Sequence, residues 1–252
     1  MKFLLLILLV SWLNVSCYYP NFEDNPLINK KMRQMMSPYL LPLDHPAKPI
    51  LDLIFSETRV IENKQSLLDA EFKIISVQYG SSIIVAKHPL VPGFIFKIYC
   101  DSESIGRKGI PGWECLTQRC INAKKTRKII NRNSLRYFTA PEKWLYILPL
   151  NSNTPKKNKH PVILIATDME LVPREATKLA WKTTITPSHL DELYIIFEAG
   201  YGSSYLINNI PYTKHDTFAL VDLEKPKRKI NMKRITKYLS KEMRHYWEEL
   251  LD

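Results

Sequence analysis

The sequence predicts an α+β fold in two parts: a strand-rich first part holding one long helix, then a shorter helical part. Three observations predict it. Glu71-Phe-Lys-Ile-Ile-Ser-Val, Ser82-Ile-Ile-Val-Ala-Lys and Gly93-Phe-Ile-Phe-Lys-Ile-Tyr are β-patterned runs. They are separated by the turn signals Tyr79-Gly80-Ser81 and Pro89/Pro92. A segment opened by Pro111-Gly-Trp-Glu then carries Trp113, Leu116, Cys120 and Ala123 at helical spacing toward Asn131. Beyond Met169 the strands give way to helical patterns over Ser188–Gly200 and Arg234–Leu251.

The N-terminus reads as an export signal. Lys2 precedes an apolar run from Phe3 to Leu13, shorter than the roughly 20 residues of a spanning helix and arranged as in a signal peptide over 1–17. Cys17, after Val15-Ser16, sits where a bacterial lipoprotein carries its acylated cysteine, although Asn14 replaces the usual leucine. Lipidation at Cys17 and simple cleavage near Tyr18 both remain open. Residues 18–56 hold Pro20, Pro26, Pro38, Pro42, Pro46 and Pro49, which suits an extended surface leader.

The strand-rich part is expected over 57–168. After the long helix come strands at Tyr137-Phe-Thr-Ala-Pro and Trp144-Leu-Tyr-Ile-Leu, the polar loop Asn151–His160, and a strand from Pro161 to Thr167. The second part, 169–252, starts with Met169-Glu-Leu-Val-Pro as a linker. Its first helix has Ser188 as N-cap, acids in the first turn and Gly200 at the end. A polar loop then leads through Asn209 to a hairpin ending in Phe218-Ala-Leu-Val-Asp222. The chain closes on a basic helix over Arg234–Leu251.

Composition excludes more than it assigns. Hydrophobic residues make up 45% of the 252, enough to bury a core, so the chain is not compositionally disordered. Lys and Arg outnumber Asp and Glu 36 to 25. The surplus is scattered, with density only at Lys124–Arg136 and Lys225–Arg244. No nucleic-acid motif accompanies it, so a solvated basic surface is expected and no nucleic-acid partner. The six histidines lack ligand spacing, which argues against zinc. Cys115 and Cys120 share a helix, too far apart along it to bridge without a break; Cys100 is left either free or paired with one of them.

Four residues suggest chemistry. Lys97 shares its strand face with Ile95 and Tyr99, so its ammonium needs a counter-charge. Glu114, 17 residues on and in the next helix, can supply one. Asn209 and Asp222, 13 residues apart across the hairpin, are the residue types that hold magnesium in phosphotransferases. Singly, Asn209 reads as a turn residue and Asp222 as a strand-ending cap.

Together, the order of elements and these four residues resemble the protein-kinase-like fold, with a strand-rich N-lobe and a truncated helical C-lobe. Ile95-Phe-Lys-Ile-Tyr is similar to the third-strand lysine motif, and Asp222-Leu-Glu to a degenerate D-F-G. The resemblance implies magnesium and ATP at Lys97, Glu114, Asn209 and Asp222. It also places Ser204 where the catalytic Asp belongs, and Gly80 is the only glycine between Leu67 and Pro92, so no phosphate-covering glycine loop exists. Only 30 residues follow Asp222, which leaves no segment to seat a protein substrate. Gly112-Trp-Glu-Cys-Leu, Glu142-Lys-Trp-Leu-Tyr and Asn209-Ile-Pro-Tyr-Thr resemble runs in a family of uncharacterised kinase-related proteins of environmental chlamydia-like bacteria, over roughly Glu71 to Glu224.

The expectation is an exported, non-catalytic, pseudokinase-like module that contacts a protein partner at the cell envelope or beyond it. Two alternatives stand beside it: a residual nucleotide-binding phosphotransferase, and a basic envelope protein touching anionic lipid through its C-terminal helix or a Cys17 lipid. Export makes a direct prediction. Expressed with its leader in a bacterium, the protein loses the Phe3–Leu13 run, and mass spectrometry finds an N-terminus at an acylated Cys17 or near Tyr18. A full-length cytosolic product refutes export.

Overall fold

The chain is described by a computed structural model over residues 20–78, 82–102, 109–150, 160–202, 206–222 and 231–252. Four helices come first: α1 (Pro20–Glu23), α2 (Lys30–Met36), α3 (Ala47–Ser56) and α4 (Lys64–Asp69). Strands β1 (Lys73–Gln78), β2 (Ile83–Lys87) and β3 (Phe94–Tyr99) lead to the long helix α5 (Gly112–Arg132). Next are β4 (Phe138–Thr139), β5 (Lys143–Ile147) and β6 (Val162–Thr167). The remainder is α6 (Arg174–Thr183), α7 (Pro187–Glu198), α8 (Leu206–Asn209), β7 (Phe218–Ala219) and α9 (Lys241–Leu251).

Five strands form one antiparallel sheet in the order β1-β2-β3-β6-β5. The fold is therefore mixed α+β, with both faces of its main sheet under helices. Alternation along the strands divides the side chains. On one face Tyr99, Leu145, Ile147, Leu164 and Ala166 pack with Leu116 and Cys120 of α5 and with Met32 and Met36 of α2. On the other, Phe96, Ile98, Tyr146, Ile163 and Ile165 pack with Leu51 and Phe55 of α3, Leu67 of α4 and Phe72. A third cluster joins Trp181, Leu190, Leu193, Phe197, Phe218 and Trp247 in the helical part.

The two sheet edges differ. At β5, Leu41 N–H donates to the Leu145 carbonyl at 2.9 Å, so the segment after α2 caps that edge. At the opposite edge β1 carries a bulge between Ile74 and Ser76, which leaves Ile75 over half exposed, at 53%.

Residues 20–56 correct the expectation of an extended leader. The prolines there begin helices instead of preventing them. Pro38 lies in the first turn of a short 3₁₀ stretch, Ser37–Tyr39, and Pro46 and Pro49 stand at the start of α3, where a missing N–H costs nothing. Asn29 caps α2, accepting from Met32 N–H at 3.0 Å. Phe22, Met32, Met36, Leu51 and Phe55 are then all buried.

The C-terminal basic helix is also corrected. Ser240 takes an extended backbone and accepts from Met243 N–H at 3.2 Å, so a new helix starts there. Lys233, Arg234 and Lys237 fall in a separate 3₁₀ turn, Met232–Tyr238, while α9 holds Lys241 and Arg244 against Glu242, Glu248 and Glu249. Thr186, not Ser188, is the N-cap of α7, because Pro187 occupies the first helical position. Helix α6, not foreseen in the sequence, starts directly after the Met169–Pro173 linker; Pro173 precedes it and Trp181 anchors it. Among the described residues no disulfide joins Cys100, Cys115 and Cys120.

One charged pair ties the first part together. Arg59 donates from Nε and Nη2 to the two Asp101 carboxylate oxygens at 2.7 and 3.0 Å, and from Nη2 to the His160 carbonyl at 2.7 Å. His160 N–H donates back to Asp101 at 3.0 Å. Both partners are buried, and the pair is hydrogen-bonded throughout, the condition a desolvated ion pair requires. Above it, a Cβ on Gly112 would lie 2.8 Å from the Tyr99 ring, so glycine lets the start of α5 approach β3.

Membership of residues 20–56 in the core gives a stability contrast within one helix. Leu51 is fully buried and Leu53 is 71% exposed. Leu51→Ala is expected to destabilise by about 2–5 kcal/mol, and Leu53→Ala to stay within about 0.5 kcal/mol, by urea unfolding. Two silent substitutions refute a core role for α3.

Candidate functional site

Two strand lysines define the site. Lys97 on β3 pairs with Leu164 of β6, and Lys143 on β5 pairs with Ala166, two residues further along β6. Both therefore project from the α5 face of the sheet. They are buried at 5% and 6% exposure, among side chains that cannot solvate an ammonium.

The partners arrive from the hairpin after α8. Its arms are held by Val221 N–H to the Asn209 carbonyl at 3.0 Å, Ala219 N–H to the Pro211 carbonyl at 2.9 Å, and Thr213 N–H to the Thr217 carbonyl at 2.9 Å. The second arm also pairs in parallel with β4, Phe138 opposite Phe218. This double anchorage delivers residues 221 and 222 to the lysines. Lys97 Nζ donates to Asp222 Oδ1 at 3.3 Å, and Lys143 Nζ donates to the Val221 carbonyl at 2.9 Å. Asp222 is also ion-paired through the same Oδ1 with Arg119 of α5.

Of the sequence-selected residues, Lys97 and Asp222 come together, with Asn209 one residue removed. Asn209 is half-buried and reaches Asp222 through its backbone bond to Val221. Glu114 does not join them, which corrects the expected Lys97–Glu114 pair. Its carboxylate takes Lys31 Nζ at 3.4 Å instead. Helix geometry explains the exchange. Glu114 and Arg119 lie five residues apart, about 140° around the helix axis, so Glu114 looks toward α2 while Arg119 looks toward the hairpin. Ser204, Leu223, Glu224, Gly80, Cys17 and the Phe3–Leu13 run lie outside the described residues.

The sequence reading missed Arg119 and Lys143. Lys143 was available by the argument used for Lys97, because it shares a strand face with Leu145 and Ile147. Arg119 carried a weaker signal: it lies one residue from Cys120 on a helix whose lysines, Lys124, Lys125 and Lys128, are all exposed.

The cluster is cationic, with Lys97, Lys143 and Arg119 around one carboxylate. Burial pushes the Lys97 pKa well below its ordinary 10.5, and Arg119 pushes the same way. Burial does the same at Lys143, reinforced by Lys97 and Arg119. Cys120, beside them, is pushed up to about 12 by burial despite the surrounding cations, so it remains a protonated thiol.

A metal at Asp222 would have to displace Arg119 and Lys97 from Oδ1, and magnesium binding depends on carboxylate oxygens of that kind. Among the described residues no group of three or more His, Cys, Asp or Glu side chains could hold a metal ion, and no helix is long and apolar enough to cross a membrane. No protein-family model matches the chain, and no curated protein matches it significantly.

The buried lysines set a pH dependence. In the unfolded chain both return toward 10.5, so across the window below 10.5 the unfolded state binds more protons than the native one. Stability from these groups therefore rises with pH through that window. Lys143→Met removes one of them. The variant is expected to gain most over wild type near neutral pH, the gain shrinking as the pH approaches about 10. Thermal melts of the two proteins across the range check it; a constant difference refutes the assignment.

Proposed function

We propose that this chain is an exported, kinase-like interaction module without phosphotransfer activity, whose metal-anchoring carboxylate is occupied by the protein's own cations. One observation carries the reading: Arg119 and Lys97 converge on a single oxygen of Asp222. In a phosphotransferase of this type that oxygen faces magnesium, and the lysine pairs with a glutamate of the helix. Here an arginine of the helix stands in for the metal, and the helix glutamate is engaged elsewhere.

The architecture supports the kinase-like part of the reading. Five antiparallel strands in the order β1-β2-β3-β6-β5 carry a long helix after the third, and a mainly helical part follows through α6, α7 and α9. The sequence supports the loss of activity, since Ser204 stands in the position of the general base, a role typically contributing about 10²–10⁴-fold. The apolar run ahead of Cys17 supports export to the cell envelope, and contact with a protein partner is what remains for such a module to do.

A second reading is favoured by the cation surplus. Two buried lysines and the half-buried Arg119, gathered beside one carboxylate, can take an anionic group without a metal. In that case the chain binds a nucleotide through Lys97, Lys143 and Arg119, with Asp222 as counter-ion and not as metal ligand.

Thermal-shift titration with ATP, in magnesium and in chelator, tests both. The first reading expects no magnesium-dependent shift, no transfer of labelled phosphate, and no activity in Ser204→Asp. A shift that persists in chelator and disappears in Lys143→Met promotes the second. A magnesium-dependent shift lost in Asp222→Ala, with turnover lost in Lys97→Ala, overturns the first and makes the chain an enzyme.

A further inference from the structure

Two helices that lie side by side carry a dense run of positive charge. Helix α5 holds six Lys and Arg against one acid, Glu114, and α2 holds Lys30, Lys31 and Arg33 with no acid. Lys30, Lys31, Lys124, Lys125 and Lys128 are exposed. Two contacts fix how the helices align. Lys31 Nζ lies over the Trp113 ring at 5.6 Å, and Lys124 Nζ over the Tyr39 ring at the same distance. Residues 31–39 thus run alongside 113–124 in the same direction, and the lysines of both stretches form one face. Helix α6 holds three Lys and Arg against one acid, whereas α7 has three acids and no Lys or Arg, and α9 has more acids than Lys and Arg.

Arg33 Nη2 donates to the Glu23 carbonyl at 2.6 Å, so α1 lies against α2, and the residues ahead of α1 include Cys17 and the Phe3–Leu13 run. Cys17 is three residues from Pro20, a reach of at most about 10 Å. That is close to the roughly 8 Å screening length at physiological salt.

We propose that the α2–α5 face docks on an anionic membrane surface, with the N-terminal segment as its tether. The inference rests on the export reading with Cys17 acylated. It moves membrane contact away from the C-terminal helix, where the sequence had suggested it. The partner is a bilayer rich in anionic headgroups. The tether holds the chain at the bilayer, where each exposed lysine of the face is drawn to anionic headgroups, so docking needs no pocket.

The test uses the full chain, produced with its leader, on phosphatidylcholine vesicles and on vesicles enriched in phosphatidylglycerol. Lysine reactivity toward a soluble amine reagent is read by mass spectrometry. Lys30, Lys31, Lys124, Lys125 and Lys128 are expected to be protected on the anionic vesicles only, and to lose protection in high salt. Lys182 and Lys241 should react equally on both. In Lys125→Gln and Lys128→Gln the docked-to-undocked ratio falls about fivefold for each lysine removed, while co-flotation persists through the tether. Co-flotation with equal labelling on both vesicle types overturns the docking face and leaves the tether standing. Protection centred on Lys233, Lys237 and Lys241 overturns it too. A chain that floats with neither vesicle removes the tether, and the proposal with it.

Discussion

Two ammonium groups taken out of water are the constraint on which this architecture turns. Strand pairing puts Lys97 and Lys143 on the same sheet face, and nothing within the sheet can satisfy them. The chain must therefore bring a carboxylate and a carbonyl from far along the sequence, and Asp222 and Val221 do so. The hairpin rungs that link Asn209 with Val221 and Pro211 with Ala219, and the parallel pairing of β7 to β4, aim those two residues. The join between the strand-rich and helical parts is thus made by charge as well as by apolar packing. Such a cluster is better suited to specifying one arrangement than to adding stability, because its desolvation cost offsets much of its attraction.

Arg119 changes what the arrangement can do. With a glutamate reaching Lys97, Asp222 would be left to a cation from solution. With arginine reaching Asp222, the cation is already present. The helix that presents Arg119 is itself held from its other flank: Lys31 meets Glu114 and Trp113, and Met32 and Met36 share a buried cluster with Leu116 and Cys120. The helices before the first strand therefore help to set the electrostatics of a site they do not touch. On the far face of the sheet α3 and α4 cover Phe96, Ile98 and Tyr146, while the Arg59–Asp101 pair, bonded to the His160 backbone, fastens the end of β3 to the start of β6.

Legibility in the sequence followed periodicity. The main strands and the long helix could be read because each repeats its pattern over several residues. Proline counting misled over 20–56, since Pro38, Pro46 and Pro49 lie in first turns, and the apolar spacing of Met32 and Met36 or of Leu51 and Phe55 spoke for helix. The C-terminal helix was read too long because Ser240, a good N-cap, sits inside an otherwise continuous amphipathic pattern. At the site, Lys97 and Asp222 were legible from strand alternation and hairpin spacing. The choice between Glu114 and Arg119 was not, because it depends on how α5 is rotated about its axis, and that rotation is set by Gly112 packing against Tyr99 and by α2.

The bulge in β1 has a consequence for the crowded setting of a cell. A sheet ends in two rows of backbone donors and acceptors, either of which can template a foreign strand. At β5 the chain covers the row itself through Leu41. At β1 the extra residue at Ile74–Ser76 breaks the even spacing that an incoming strand would need to zip along. An apolar side chain, Ile75, can thus stand at a sheet margin without becoming a seed for aggregation, and the irregular strand protects colloidal stability where a straighter one would endanger it.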